Sequence, residues 1–160
     1  MSASDHRALV EKFYTAFQNK DAETMAACYA DDVRFHDPAF GDLRGEQARN
    51  MWRMLVARAS DDFRLDFKVL DANDVAARVK WDAHYTFTQT GRKVHNQIEA
   101  NFRISNGLIT EHRDTFSMHK WSSQALGMTG TLLGWTPIVK NRVQKMSRSF
   151  LEKFEAERKG

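Results

Sequence analysis

The sequence is short of the residues that staple, break or anchor a chain: among its 160 residues are one cysteine, two prolines and eight glycines. With Cys28 alone, neither an internal disulfide nor a thiolate metal cluster can form within one chain, which fits a reducing compartment, and a cytoplasmic location is expected. No run of 18 apolar residues occurs, so a membrane-spanning helix is not expected. The opening residues lead into an amphipathic pattern rather than the apolar core of an export signal. No stretch is polar enough to stay unfolded, and no repeat or low-complexity tract appears. Net charge is only +3, with acids and bases interspersed through residues 1–121, which argues against nucleic acid as partner. There is no Gly-x-Ser-x-Gly elbow and no glycine-rich phosphate loop, and His36, His84, His95, His112 and His119 lack zinc-ligand spacing. No metal and no cofactor are therefore expected.

What is present is a change of hydrophobic period along the chain. Ser4 is read as an N-cap without a capping box, followed by Leu9, Val10, Phe13, Ala16 and Phe17 at helical spacing over 5–19. Asp21 caps a short second helix that runs to about Tyr29. Alternation then places Val33, Phe35 and Asp37 on one side of a strand that Pro38 ends. Gly41 and Gly45 punctuate a loop. A third helix over Glu46–Ala57 turns Met51, Trp52, Leu55 and Val56 inward and Arg49 and Arg53 toward solvent.

From Phe63 the period is two again. Phe63, Leu65, Phe67 and Val69 share one face, as do Ala77, Val79, Trp81, Ala83, Tyr85 and Phe87 after a turn at 71–74. Further turns fall around Gly91 and at Asn106-Gly107, the strongest hairpin signal in the chain. The last strand is expected from Ile109 to about Trp121, with His112, Asp114, Phe116 and Met118 on one face. Beyond it, Gly127, Gly130 and Gly134 punctuate Leu126, Met128, Leu132, Leu133 and Trp135, and Pro137 opens a helix with Ile138, Val139, Val143, Met146, Phe150 and Phe154 inward. The pattern predicts an α+β domain over 1–121, with helices on a strongly bent antiparallel sheet, and a helical extension over 122–160 that packs on or over it.

This order of elements, with the strings Cys28-Tyr29-Ala30-Asp31-Asp32-Val33, His36-Asp37-Pro38 and Gly107-Leu108-Ile109-Thr110-Glu111-His112-Arg113-Asp114, resembles the nuclear transport factor 2-like superfamily, and most of all its SnoaL-like and ketosteroid-isomerase-like branch. The resemblance spans residues 5–121 and implies a cone-shaped, cystatin-like fold, often homodimeric. In ketosteroid isomerase the base is an aspartate in a strand-ending Asp-Pro pair, matched here by Asp37-Pro38. The same alignment puts Phe13 at the oxyanion tyrosine, with Tyr14 one position off, and Ala100 at the protonated aspartate, so that chemistry's two donors are missing from those positions. The string His112-Arg113-Asp114-Thr115-Phe116 is similar to a strand of limonene-epoxide hydrolase in which Asp114 matches a pocket aspartate. SnoaL-like cyclases use a single pocket acid.

A carboxylate on the inner face of a strand is costly to ionise, so Asp37 and Asp114 are the candidate acid and base, with His112 beside them. The plainer readings stand next to these. Asp37 can be a turn former, Asp114 a buried bridge to Arg34, Arg103 or His112, and His112 a satisfied core histidine. Phe13, Tyr14, Trp52, Trp81, Tyr85, Ala100, Phe102 and Phe116 are the candidate pocket wall. The expected function is binding of a small, largely apolar molecule such as a polyketide, steroid or terpenoid, with cofactor-free isomerase or cyclase chemistry. A non-catalytic binding or dimeric interaction module and epoxide-hydrolase-like water activation are the alternatives. A homodimer would use the outer sheet face, where Arg78, Lys80, Asp82, His84, Glu99, Asn101 and Arg103 lie. The extension has two readings: a lid in which Leu132, Leu133 and Trp135 close the cone, or a basic helix resting on an anionic membrane surface.

Overall fold

A computed structural model describes residues 2–159, which form six helices and six strands. In chain order these are α1 (Ala3–Gln18), α2 (Ala22–Ala27), β1 (Tyr29–Asp37), β2 (Gly41–Arg44), α3 (Glu46–Ala57), β3 (Arg64–Ala72), β4 (Ala76–Phe87), β5 (Arg92–Ser105), β6 (Leu108–Thr115), α4 (Met118–Leu126), α5 (Met128–Leu133) and α6 (Pro137–Lys159). The sheet order is β2-β1-β6-β5-β4-β3. Every junction is antiparallel except β1 with β6, which run parallel and so bring the first strand beside the last.

Several boundaries differ from the sequence expectation. The first helix starts at a capping box made by Ser2 with Asp5, not at Ser4; an acid three residues after the serine returns a bond to its backbone amide, which Arg7 cannot do. Tyr29 opens β1 instead of closing α2, because the Cys28 carbonyl already accepts a sheet bond from the Ile109 amide at 2.9 Å. The expected loop between Gly41 and Gly45 contains a real strand, with Gly41 and Leu43 buried and Asp42 and Arg44 exposed. β6 stops at Thr115, since the Ser117 hydroxyl accepts from the Lys120 amide and starts α4, which carries Trp121 away from the sheet. The Asn106-Gly107 turn is as expected, with φ of 54° and 77° in the left-handed region that this tight turn requires.

α1 and α3 lie against one face of the curled sheet, and Phe13 is the hub of their packing. Its ring meets Tyr14 at 5.2 Å and Trp52 at 5.6 Å edge-on, and stacks on Tyr29 at 5.5 Å. Such pairs are worth about 0.5–1.5 kcal/mol each beyond buried area. Arg49 and Arg53 are not a solvated face, being mostly covered. Arg49 donates to the carbonyls of Ala30 and Asp31, and Arg53 forks onto Glu23, so together they tie α3 to β1 and α2. α6 packs back across the domain: Asn50 donates to Glu155 at 2.9 Å, Gln144 to the Pro38 carbonyl, and the Arg58 guanidinium lies 4.3 Å over the Phe150 ring. Its buried side is Val139, Val143 and Leu151, whereas Ile138, expected inward, is exposed because it lies on the opposite face of the helix from Val143.

Candidate functional site

Between the helices and the concave face lies a cavity of about 260 Å³. Its walls are largely apolar: Phe17 from α1, Trp52 and Leu55 from α3, Trp81 and Tyr85 from β4, Ile98 from β5, and Val143, Met146 and Phe150 from α6. The hollow arises where small side chains oppose one another, since Ala83 on β4 pairs with Asn96 on β5 and both face inward. A 150 Å³ apolar cavity holds benzene and ordinary ligand sites start near 300 Å³, so the guest that fits is small.

Asp37 enters this space because the β1 alternation Val33, Phe35, Asp37 continues to the last residue of the strand. Its Oδ1 accepts from the Phe40 amide at 2.6 Å, so the turn-former reading and the pocket reading hold together. Burial lifts its pKa from 3.8 to about 7; the Phe40 amide opposes the rise and the charge of nearby Asp114 adds to it.

Asp114 faces the same cavity from β6, opposite Ala100. Its Oδ1 accepts from Trp81 Nε1 at 3.4 Å and from His112 Nε2 at 2.9 Å. Behind it, His112 Nδ1 lies 2.7 Å from the Tyr29 hydroxyl, which in turn accepts from Trp52 Nε1 at 2.7 Å. The proton positions follow from what each group can do. An indole N–H only donates, so Trp52 takes one acceptor site of the phenol oxygen; with the imidazole protonated on Nε2 toward Asp114, the Tyr29 hydroxyl donates to Nδ1 and every group in the line is satisfied. Burial pushes the Tyr29 phenol well above its ordinary pKa and keeps it a donor. A chain of donors from Trp52 through Tyr29 and His112 thus ends on Asp114 at the cavity wall. Neither Arg34 nor Arg103 takes part; of the bridges open to Asp114, the one formed is to His112.

Asp37, Asp114, Trp52, Trp81, Tyr85 and Phe116 all surround the cavity. His112 does not line it but supports Asp114 from behind, fully enclosed, with Phe102 at 4.3 Å and Trp52 stacked at 5.8 Å. Phe13, Tyr14, Ala100 and Phe102 are core residues and not wall: the face of α1 that bears Phe13 and Tyr14 points to the closed end of the cone, which Phe102 and His112 fill. The Tyr14 hydroxyl has no hydrogen-bond partner there, and burial raises its pKa well above normal.

Two further polar groups of the wall lie on adjacent strands. Asn96 is 8% exposed and lines the cavity. The signal for it was an amide at an inward position of β5, between Val94 and Ile98. Tyr85 accepts from Trp121 Nε1 at 2.7 Å, which leaves its own O–H free to donate into the cavity. Tyr85 and Asn96 are diagonal neighbours on adjacent strands. The wall therefore includes two carboxyl groups beside these two neutral side chains, with Arg58, Ser60, Thr86, Gln89 and Ser147 also on the lining. Among the described residues no three His, Cys, Asp or Glu side chains gather closely enough to hold a metal ion, and no helix is long and apolar enough to cross a membrane.

Known structures share this architecture. An LEH-like epoxide hydrolase from Mycobacterium tuberculosis is 20% identical over 82% of this chain and 97% of that one, with a TM-score of 0.62. A candidate polyketide cyclase from a Silicibacter species is 17% identical over 78% and 98%, with a TM-score of 0.67. A protein of ketosteroid isomerase-like fold from Catenulispora acidiphila, solved with trimethylamine, is 17% identical over 81% and 97%, with a TM-score of 0.65. At such identities the likeness establishes the fold alone. No curated protein matches the sequence significantly. The SnoaL-like domain model matches residues 10–112, from the buried face of α1 to the histidine behind Asp114, and the chain belongs to the SnoaL-like domain family.

Proposed function

We propose that the protein binds a small, largely apolar molecule bearing a carbonyl or similar acceptor oxygen, and moves a proton on it without a cofactor, as an isomerase or cyclase does. The observation that carries this reading is Asp37, a carboxyl group on an apolar cavity wall with a pKa of about 7. Near neutral pH it is present in both protonation states, so it can take a proton from carbon and return it at a second position. The Asn96 amide and the Tyr85 hydroxyl would hold the oxygen on which charge builds up. Asp114, held by His112 and Trp81, sets the charge opposite Asp37 and is the second proton carrier. The fold is shared with a candidate polyketide cyclase and with a protein of ketosteroid isomerase-like fold. Water activation of the epoxide-hydrolase kind has less support, because no arginine bonds to either carboxylate; Arg58 reaches the cavity but lies over Phe150.

The test is proton exchange in heavy water, followed by NMR on a panel of one- and two-ring enones that includes cyclohexenone. The protein should accelerate exchange next to the carbonyl, with a pH profile that bends near 7. Asp37→Asn should slow it by roughly 100-fold or more, the usual weight of a positioned base. An Asp37 carboxyl that titrates in the ordinary carboxylate range would remove the proposal. Saturable binding without exchange of any probe would replace it with a non-catalytic carrier.

A further inference from the structure

Away from the cavity, α5 and the start of α6 carry large apolar side chains on the outside. Met128 is 76% exposed, Leu132 63%, Leu133 47%, Trp135 74% and Ile138 71%. The lid formed by Leu132, Leu133 and Trp135 is therefore absent; the α6 residues Val143, Met146 and Phe150 close the cavity instead. Two glycines set this orientation. A Cβ on Gly130 would fall 1.8 Å from the Ser122 carbonyl oxygen, and one on Gly134 would fall 2.0 Å from Ser122 Oγ. α5 thus lies glycine side down on α4, and Met128 and Leu132, one turn apart, point away from the body.

The surroundings of this ridge are cationic. On α6, Ile138 is followed at i+4 and i+7 by exposed Arg142 and Lys145, which continue the same face. Between Asp114 and Glu152 the sequence has no acidic residue, while Lys120, Lys140, Arg142, Lys145 and Arg148 all fall there. Arg148 is engaged with the Asp42 carbonyl; the other four extend into solvent. A symmetric contact with a second copy through this ridge would set these like charges against one another. A bilayer rich in acidic lipid is complementary on both counts, since tryptophan, leucine and isoleucine partition to the headgroup boundary and lysine and arginine are drawn to the surface.

We propose that α5 and the first turns of α6 dock the protein onto an anionic lipid bilayer. Met128, Leu132, Leu133, Trp135 and Ile138 enter the headgroup boundary, and Lys140, Arg142 and Lys145 lie over acidic lipids. The proposal does not depend on the proton chemistry of the cavity. It does place the inner face of α6, which lines the cavity, next to a source of apolar guests.

Flotation of the full chain with phosphatidylcholine vesicles, with and without phosphatidylglycerol, tests it. Binding should be at least roughly tenfold stronger on the anionic vesicles and should weaken steeply with salt. Trp135 reports directly, because Trp52, Trp81 and Trp121 are buried. Its emission should shift to the blue on vesicle addition, and Trp135→Phe should abolish the shift. Leu132→Glu with Ile138→Glu changes two exposed positions, so the melting temperature and the Asp37 titration should stay the same while flotation falls roughly tenfold or more. No flotation, equal binding to neutral and anionic vesicles, or a concentration-dependent dimer that the double variant dissolves would each overturn the proposal.

Discussion

The two ends of the interior are built from the same kinds of side chain and do opposite things. At the closed end, Phe13, Tyr14, Trp52, Phe102 and His112 interlock as a solid aromatic cluster. Toward α6, Trp81, Tyr85 and Phe150 stand apart around a space of about 260 Å³. The difference comes from what sits between the large rings. The solid end has an imidazole wedged among them, whereas the hollow end has Ala83 facing Asn96. Polar groups follow the same division. Tyr29 and His112 in the solid end are locked in a line of hydrogen bonds, while Asp37 in the hollow is held by backbone amides alone and burial lifts its pKa to about 7. Asp114 stands at the border and belongs to both.

Breaking the solid end should cost most. Trp52→Ala deletes the ring that Phe13, Phe17 and Phe35 pack against and the donor to Tyr29, so denaturant unfolding should show a loss of about 3–5 kcal/mol. In the hollow end the sign reverses. Asp37 binds its proton more tightly in the folded protein, pKa about 7, than in the unfolded chain near 3.8. Its contribution is therefore fully present below pH 3.8 and is lost as pH rises to about 7. Asp37→Asn should match the wild type in strong acid and exceed it by up to about 4 kcal/mol above pH 8, measured as unfolding free energy against pH. A smaller effect should come from Tyr29→Phe, which keeps the ring and leaves Trp52 Nε1 and His112 Nδ1 without their partner. About 1–3 kcal/mol should be lost, and a loss as large as that of Trp52→Ala would mean that the chain of bonds rather than the packing holds the closed end together.

Much of this was legible in the sequence where a pattern was long. The alternation of β4 gave its faces directly, and the same period aimed Asp37 and Asp114 inward, whereas on α3 only Met51 and Trp52 of the expected inner residues are fully buried and its arginines are covered. Short signals were misread for specific reasons. β2 has four residues, too few for a period to show between two glycines. The Ser117 cap is a single hydroxyl, and an unbroken alternation through Phe116 and Met118 hid it. The cavity wall was half visible: the period says that Phe13 and Phe102 face inward, but only the three-dimensional arrangement says which end of the interior they occupy. The partner of Asp114 was open for a related reason. His112 and Asp114 are two apart on a strand and so share a face, yet Tyr29, which completes the chain, is 83 residues from His112.

That distance has a consequence for how the protein comes into being. The parallel junction of β1 with β6 is the step that sets Tyr29 beside His112 and Asp37 near Asp114. Contacts so remote in sequence carry a large loop-closure entropy. A nascent chain that has emerged through β1 carries Asp37 without Asp114 until β6 has been made. The two carboxyl groups come together only when β6 pairs beside β1, and the cavity they share has its full wall only once α6 has packed over it.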